Sequence, residues 1–259
     1  MPGPMSLAGA GVSLGAGVIS AFFAAIVLRN FLARRKPYNL MWGIGLVMFT
    51  VVAFVQVVAE LGEWTDASFR VWYVLGTSLV GFLGAGSVYI AHRKLGHAFA
   101  AYVLVLLLAF LAVALTAPTA PAAIAQFGKP DPLGAIVSPS GAGWAVSAPR
   151  LLSPLFTIPG SATLIGIALY GLVRYRLTYN AYIAGGAVIL AIGTGLATLG
   201  NPSFIYGAEF AGIAVMFVGF WKAVEWAKEH RKTSPEGALP MPATSGEPEG
   251  AQPIKTTPK

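Results

Sequence analysis

The chain contains no cysteine in 259 residues. Disulfide bonds, thiol redox chemistry and thiolate metal sites are therefore excluded. Charge is also scarce, because Asp, Glu, Lys and Arg together make up 10% of the residues while 56% are hydrophobic. A soluble domain carries more charge than this on its surface. The composition therefore indicates an integral membrane protein.

Histidine is nearly absent, and the three that occur, His92, His97 and His230, lie beside basic residues at the predicted ends of apolar stretches. A haem or zinc site inside a membrane bundle needs histidines at membrane depth. We therefore expect no metal site, no cofactor and no catalytic residues, and we expect that the protein is not an enzyme. The net charge of +7 comes from residues at span ends and does not indicate nucleic-acid binding.

Seven long apolar stretches fill most of the chain. A helix needs roughly 20 apolar residues to cross the hydrocarbon core of a bilayer. The sequence predicts an all-α integral membrane bundle of seven transmembrane helices within residues 1–232. The predicted spans 1 to 7 are approximately 9–32, 39–61, 69–91, 97–117, 150–173, 179–200 and 204–224.

The basic residues indicate how the bundle is oriented. Twelve of them follow spans 1, 3, 5 and 7, whereas three, Arg70, Lys129 and Arg150, lie at the opposite ends. Loops on the cytoplasmic side carry the excess of Lys and Arg. The sequence therefore predicts an N-terminus outside, a cytoplasmic C-terminus and a multi-pass protein of the plasma (inner) membrane whose partner is the lipid bilayer.

Two segments are not spans. Residues 118–149 form a long external connection with several prolines, and connections of this length are usually functional or disordered. Its aromatic residues Phe127 and Trp144 would allow the connection to lie on the bilayer interface or to cap the bundle. A flexible linker is the alternative. The tail, 233–259, has too little apolar surface to fold and is expected to be disordered in the cytoplasm.

A 3+1+3 parallel repeat is suggested by short matches between spans 1–3 and spans 5–7. Tyr38-Asn39 opens span 2 and Tyr179-Asn180 opens span 6, while Leu61-Gly62 and Leu199-Gly200 close them. Parallel repeats occur in transporter folds, although short matches also arise by chance. In topology alone, the predicted bundle is similar to sugar-exporter and PQ-loop transporters and to seven-helix sensor regions of bacterial membrane kinases. No span contains a Pro-Gln pair, and the sequence assigns the chain to no family.

Polar residues inside the spans gather near the predicted outer face. Ionisable groups at lipid depth are costly to bury and usually have a function. Charge balance suggests two ion pairs, Glu60 with Arg70 and Glu209 with Arg150, and Pro159 is a candidate hinge in span 5. The candidate ligand-binding or ion-pair residues are Gln56, Glu60, Arg70, Tyr73, Arg150, Asn201, Tyr206 and Glu209.

The leading functional hypothesis is a transporter-like or permease-like protein that binds a small polar solute, a cation or a proton in an outer-facing pocket. A sensor that signals through a partner is the alternative, because the polar groups lie on one side only. A non-catalytic subunit of a membrane complex is the third hypothesis. Association with a second copy or with other membrane proteins stays open.

Overall fold

The computed structural model of the protein describes residues 4–125, 143–146, 148–198 and 203–233. Within these ranges the regular elements are helices, joined by short turns and one isolated bridge between Thr119 and Trp144. The helices are α1 (Pro4–Arg34), α2 (Pro37–Leu61), α3 (Asp66–Ala91), α4 (Arg93–Thr116), α5 (Pro121–Ile124), α6 (Ala148–Tyr175), α7 (Tyr179–Thr198) and α8 (Ser203–Thr233).

Seven of these helices, all except the single-turn α5, are long and apolar enough to cross a membrane. This confirms the predicted all-α bundle of seven transmembrane helices, with spans 5, 6 and 7 corresponding to α6, α7 and α8. The predicted orientation is not tested by the fold. We call the end of the bundle at which α1 begins the outer end, following that prediction. The tail beyond Thr233, Phe127 and most of the external connection lie outside the described residues.

The helix ends follow local sequence signals. Pro37 starts α2, at a position where a missing backbone N–H costs nothing. Thr65 and Ser68 form a reciprocal capping box at the start of α3. A single residue, His92, separates α3 from α4, and it caps the end of the first helix and the start of the second. The loop expected between spans 3 and 4, residues 92–96, is therefore reduced to His92, and His97 lies within α4. Both histidine side chains are exposed.

Six long helices contact one another in a circuit. α1 packs on α2, α2 on α3, α3 on α6, and α6 on α7. α8 closes the circuit, because Gly212 approaches Gly186 of α7 and Phe210 approaches Gly15 of α1. α4 packs against α3 and α6. The first three long helices and the last three therefore meet at two places, where α3 contacts α6 and where α8 contacts α1.

The contact between α3 and α6 brings two backbones together. A Cβ added to Gly160 would lie 2.6 Å from the carbonyl oxygen of Val80, and one added to Gly84 would lie 2.8 Å from the Cα atom of Gly160. Only glycine leaves room for this approach, which is the usual role of small residues between membrane helices.

Pro159 precedes this contact without ending α6. Proline deprives the carbonyl four residues earlier of its helical donor, and here that carbonyl belongs to Leu155. The hydroxyl of Tyr102 on α4 donates to it instead, at 2.7 Å. The Thr163 hydroxyl donates to the carbonyl of Pro159, also at 2.7 Å. The role of Pro159 as a hinge stays a prediction.

The loops before α2 and before α7 share two backbone features. Arg35 and Arg176 have positive φ angles of 51° and 54°, and each stands three residues before a Tyr-Asn pair. The two asparagines, Asn39 and Asn180, each donate a backbone hydrogen bond to the residue three positions earlier, at 3.0 and 2.9 Å. A left-handed conformation is uncommon outside glycine. These loops favour the predicted repeat, which itself stays a prediction.

Substituting Gly160 by Ala should weaken the bundle, because the new Cβ meets the backbone of α3. We expect the free energy of unfolding to fall by about 1–3 kcal/mol, the usual cost of overpacking. Gly166→Ala is the matched control on the same helix, because no atom lies within 4 Å of its Cβ position. Denaturant unfolding in detergent micelles measures both variants. Equal stability of the two would show that the α3–α6 contact is not close.

Candidate functional site

Two polar residues of α2 point into the bundle near its outer end. Gln56 and Glu60 are one helical turn apart, so they lie on the same face of the helix. Gln56 is 1% exposed although it sits in a predominantly apolar helix. An amide buried this deeply needs hydrogen-bonding partners inside the protein.

α8 supplies the partners of both side chains. The hydroxyl of Tyr206 donates to Oε1 of Glu60. Nε2 of Gln56 donates to Oε1 of Glu209 at 3.2 Å. Two hydrogen bonds therefore connect α2 with α8, which belong to the first and the last three long helices of the circuit. The sequence analysis predicted one pocket for all eight candidate residues, and these bonds bring together four of them, Gln56, Glu60, Tyr206 and Glu209.

α1 adds a hydroxyl that sequence reasoning missed. A Cβ on Gly9 would lie 3.5 Å from the ring of Tyr206 and 3.7 Å from Oε2 of Glu60. Ser13 follows Gly9 by one helical turn, so it lies one turn deeper on the same face. On α2, Gln56 lies one turn deeper than Glu60, and on α8, Glu209 lies nearly one turn deeper than Tyr206. Ser13 is therefore at the same depth as Gln56 and Glu209. Ser13 is 0% exposed.

We call the residues Ser13, Gln56, Glu60, Tyr206 and Glu209 the acidic cluster. Three of its buried polar atoms, Ser13 Oγ, Gln56 Oε1 and Glu209 Oε2, have no hydrogen-bond partner among the described residues. Most buried polar groups in proteins are hydrogen-bonded, so three exceptions at one level of a bundle need an explanation. Within the same ranges, neither carboxylate forms an ion pair with a basic side chain.

Both predicted ion pairs are wrong. Arg70 pairs with Asp66, one turn earlier on α3, with 2.8 Å between Nε and Oδ2. Residues four apart on a helix face each other, whereas Glu60 belongs to another helix and accepts from Tyr206. Glu209 is bonded to Gln56, and Arg150 is exposed at the start of α6. No ion pair joins Glu60 to Arg70 or Glu209 to Arg150 among the described residues.

Arg70 instead fastens the external connection to the bundle. Its guanidinium donates to the carbonyl of Ala114 near the end of α4 and lies 5.3 Å from the centre of the Trp144 ring. Trp144 is 6% exposed and packs on Phe69 with 5.0 Å between ring centres. Thr119, just after α4, forms a bridge with Trp144. The described ends of the connection are therefore attached to α3.

Tyr73 and Arg150 belong to this second region and not to the acidic cluster. The ring of Tyr73 contacts those of Phe110 and Trp144, and Arg150 lies near Tyr73. The predicted single pocket is thus divided into two groups, with the acidic residues between α1, α2 and α8 and the basic residues beside α3, α4 and α6. Asn201 lies outside the described residues.

An apolar groove of about 330 Å³ lies between α7 and α8, lined by Ile192, Gly193, Gly207 and Ala211 among others. Gly207 and Ala211 lie on the opposite face of α8 from Tyr206 and Glu209 by helical spacing. The groove therefore does not open onto the acidic cluster.

Comparisons of the chain with protein-family models, with curated proteins and with solved structures found no match. The site must therefore be interpreted from its own chemistry.

The bond between Tyr206 and Glu60 should appear as energetic coupling between the two side chains. Tyr206→Phe and Glu60→Gln should each lower the free energy of unfolding, and the double variant should lose less than the sum. The expected coupling is about 0.6 kcal/mol, the average for hydrogen bonds between membrane helices, and at most about 1.7 kcal/mol. A double-mutant cycle of unfolding in detergent measures it. Strictly additive effects would show that the two residues do not interact.

Proposed function

We propose that this polytopic membrane protein is a transporter or permease that binds a small cationic or polar solute at the acidic cluster. The observation that carries the proposal is the pair of carboxylates, Glu60 and Glu209, held inside the bundle near its outer end without a basic partner among the described residues. The seven apolar helices support a multi-pass membrane protein. The proposed location is the plasma (inner) membrane.

The energetic argument concerns unneutralised charge. A carboxylate taken out of water costs several kcal/mol unless an opposite charge or a proton compensates it. Arg70 is engaged with Asp66 and Ala114, so it does not compensate Glu60. The acidic cluster is therefore suited to attract a positive species from outside. Ser13 Oγ, Gln56 Oε1 and Glu209 Oε2 are free acceptors that would orient it.

The position of the acidic cluster supports transport. Gln56 and Glu60 come from the first three long helices, whereas Tyr206 and Glu209 come from the last three. Transporters built from repeats place their substrate between the repeats, where rocking of one half against the other exposes the site alternately to each side. A ligand held by both α2 and α8 would be sensitive to such a movement.

A sensor is the second candidate, and one observation favours it. The predicted inner half of the bundle is closed by packed rings, among them Phe23, which lies 5.6 Å from Phe217 and 4.8 Å from Phe220 between ring centres. Trp42 and Leu46 are buried in the same apolar cluster. A site open only to the outside suits a receptor that passes its signal to a partner.

Ligand binding at the acidic cluster should raise the melting temperature of the purified protein. A ligand at a hundred times its dissociation constant adds about 2.7 kcal/mol of stability. We expect a screen of inorganic cations, amino acids and sugars to reveal a shift that Glu60→Gln abolishes. Glu63→Gln is the matched control, since Glu63 is exposed in the turn after α2. Compounds that shift the wild type should then be tested for flux in proteoliposomes.

A shift without flux would favour the sensor. No shift with any compound would overturn the proposal that the acidic cluster binds a solute.

The absence of cysteine allows the orientation to be tested directly. Ala122 and Thr178 are exposed in connections at opposite ends of the bundle. In intact cells, a membrane-impermeant maleimide should label the Ala122→Cys variant and leave Thr178→Cys unlabelled until the membrane is permeabilised. The parent chain has no background reaction. Labelling of Thr178→Cys alone would reverse the predicted orientation.

A further inference from the structure

The most specific arrangement in the acidic cluster is the contact between Gln56 and Glu209. Nε2 of Gln56 donates to Oε1 of Glu209 at 3.2 Å. The remaining oxygen of each group, Gln56 Oε1 and Glu209 Oε2, is buried and has no partner in the described part of the chain. A side-chain amide oxygen and a carboxylate oxygen are both acceptors, so the two cannot satisfy each other.

We infer that Glu209 is a proton-binding site, in which a proton on Oε2 closes a second hydrogen bond to Oε1 of Gln56. The protonated carboxyl and the primary amide then form a cyclic pair with one donor and one acceptor on each side. One O–H bond is formed and no other bond changes. A single proton therefore gives partners to two of the three unpartnered oxygens in the acidic cluster.

The groups that surround Glu209 favour a proton over an unneutralised carboxylate. The charged or titratable groups that share the acidic cluster are Glu60 on α2 and Tyr206 on α8. Burial of Glu209 Oε2 away from water disfavours the ionised form of this side chain. Two further helices, α1 and α7, pack against this region. Their described residues include no Asp, Glu or Lys. Only α1 contains arginines, and these lie at its other end.

The basic groups of α3 and α6 do not compensate Glu209. Arg70 is engaged with Asp66 and with the carbonyl of Ala114. Arg150 is exposed at the start of α6, near Tyr73 of α3. Both arginines therefore belong to the second polar region.

A metal ion is the competing occupant. The described residues bring together no group of three His, Cys, Asp or Glu side chains that would hold one. A monovalent cation bound by Ser13, Gln56 and Glu209 oxygens is the remaining competitor, and the test must distinguish it from the proton.

Proton binding at Glu209 also bears on transport, and this link rests on the proposed function. Gln56 belongs to the first three long helices and Glu209 to the last three. The cyclic pair holds α2 and α8 together when the proton is bound, and its loss leaves the single 3.2 Å hydrogen bond. The proton thus controls a contact between the two halves, which would couple proton binding to the movement that the proposed transport requires.

Infrared spectroscopy tests the proton directly on the full-length protein. A protonated carboxylic acid has a carbonyl stretch that is separate from the amide bands and moves to lower frequency in D₂O. We expect such a band to persist at a pH where the exposed carboxyl groups are already ionised, to disappear as the pH is raised further, and to be absent under the same conditions in Glu209→Gln. The control Glu63→Gln should keep it. Loss of the band in Glu60→Gln but not in Glu209→Gln would overturn the assignment.

A second variant keeps the test decisive if Glu209→Gln fails to fold. Gln56→Leu removes the proposed acceptor, so the carbonyl band should persist and move to higher frequency, as expected for an acid that has lost its hydrogen-bonded partner. An unchanged frequency would show that Gln56 does not accept the proton's hydrogen bond.

The competing cation is tested with sodium chloride and potassium chloride against choline chloride. Suppose that sodium or potassium raises the melting temperature of the wild type but not of Glu209→Gln, and that no acid band depends on Glu209. The occupant of the site would then be a metal cation and not a proton. These readouts do not depend on a solute. The acid band can therefore be present while the solute screen is negative, and the two proposals fail separately.

Discussion

A polar group inside a lipid-embedded bundle has no water to bond with, so it must find its partners in the protein. This constraint explains most of the polar contacts in the structure. The hydroxyls of Ser78, Ser87 and Thr194 donate to carbonyls four residues earlier on their own helices. Tyr102 donates to the carbonyl that Pro159 leaves without a helical donor. Against this background, the unpartnered oxygens of the acidic cluster are exceptions.

The same constraint governs how the two halves of the bundle meet. Where α3 meets α6, Gly84 and Gly160 bring the backbones into contact, and no polar side chain is needed. Where the first and last three helices meet again, α2 and α8 exchange hydrogen bonds through Gln56, Glu60, Tyr206 and Glu209. Close backbone packing holds α3 against α6, whereas hydrogen bonds that depend on the protonation of a carboxyl group hold α2 against α8.

The helices could be predicted from the sequence because the length of an apolar stretch is a local property. The clustering of Gln56, Glu60, Tyr206 and Glu209 followed from helical spacing and from shared depth. Their partners did not follow, because partner choice depends on how each helix is rotated about its axis. Both Glu60 and Asp66 lie close to Arg70 in the sequence. Arg70 pairs with Asp66 because the two residues are one turn apart on the same face of α3. Ser13 gave no signal, since a serine in an apolar span is common and its burial depends on α2 and α8.

The single-residue junction at His92 has a mechanical meaning. A connection of several residues would let α4 lag behind α3, but one residue that caps both helices leaves no slack between them. A tilt of α3 would therefore move α4 with it. At the other end of the two helices, Arg70 of α3 is hydrogen-bonded to the last turn of α4. Because the two helices are joined at both ends, a tilt of α3 that pivots at the junction would displace the pair most at its outer end. A probe placed near Ala114 would report small rotations of α3 with amplified range.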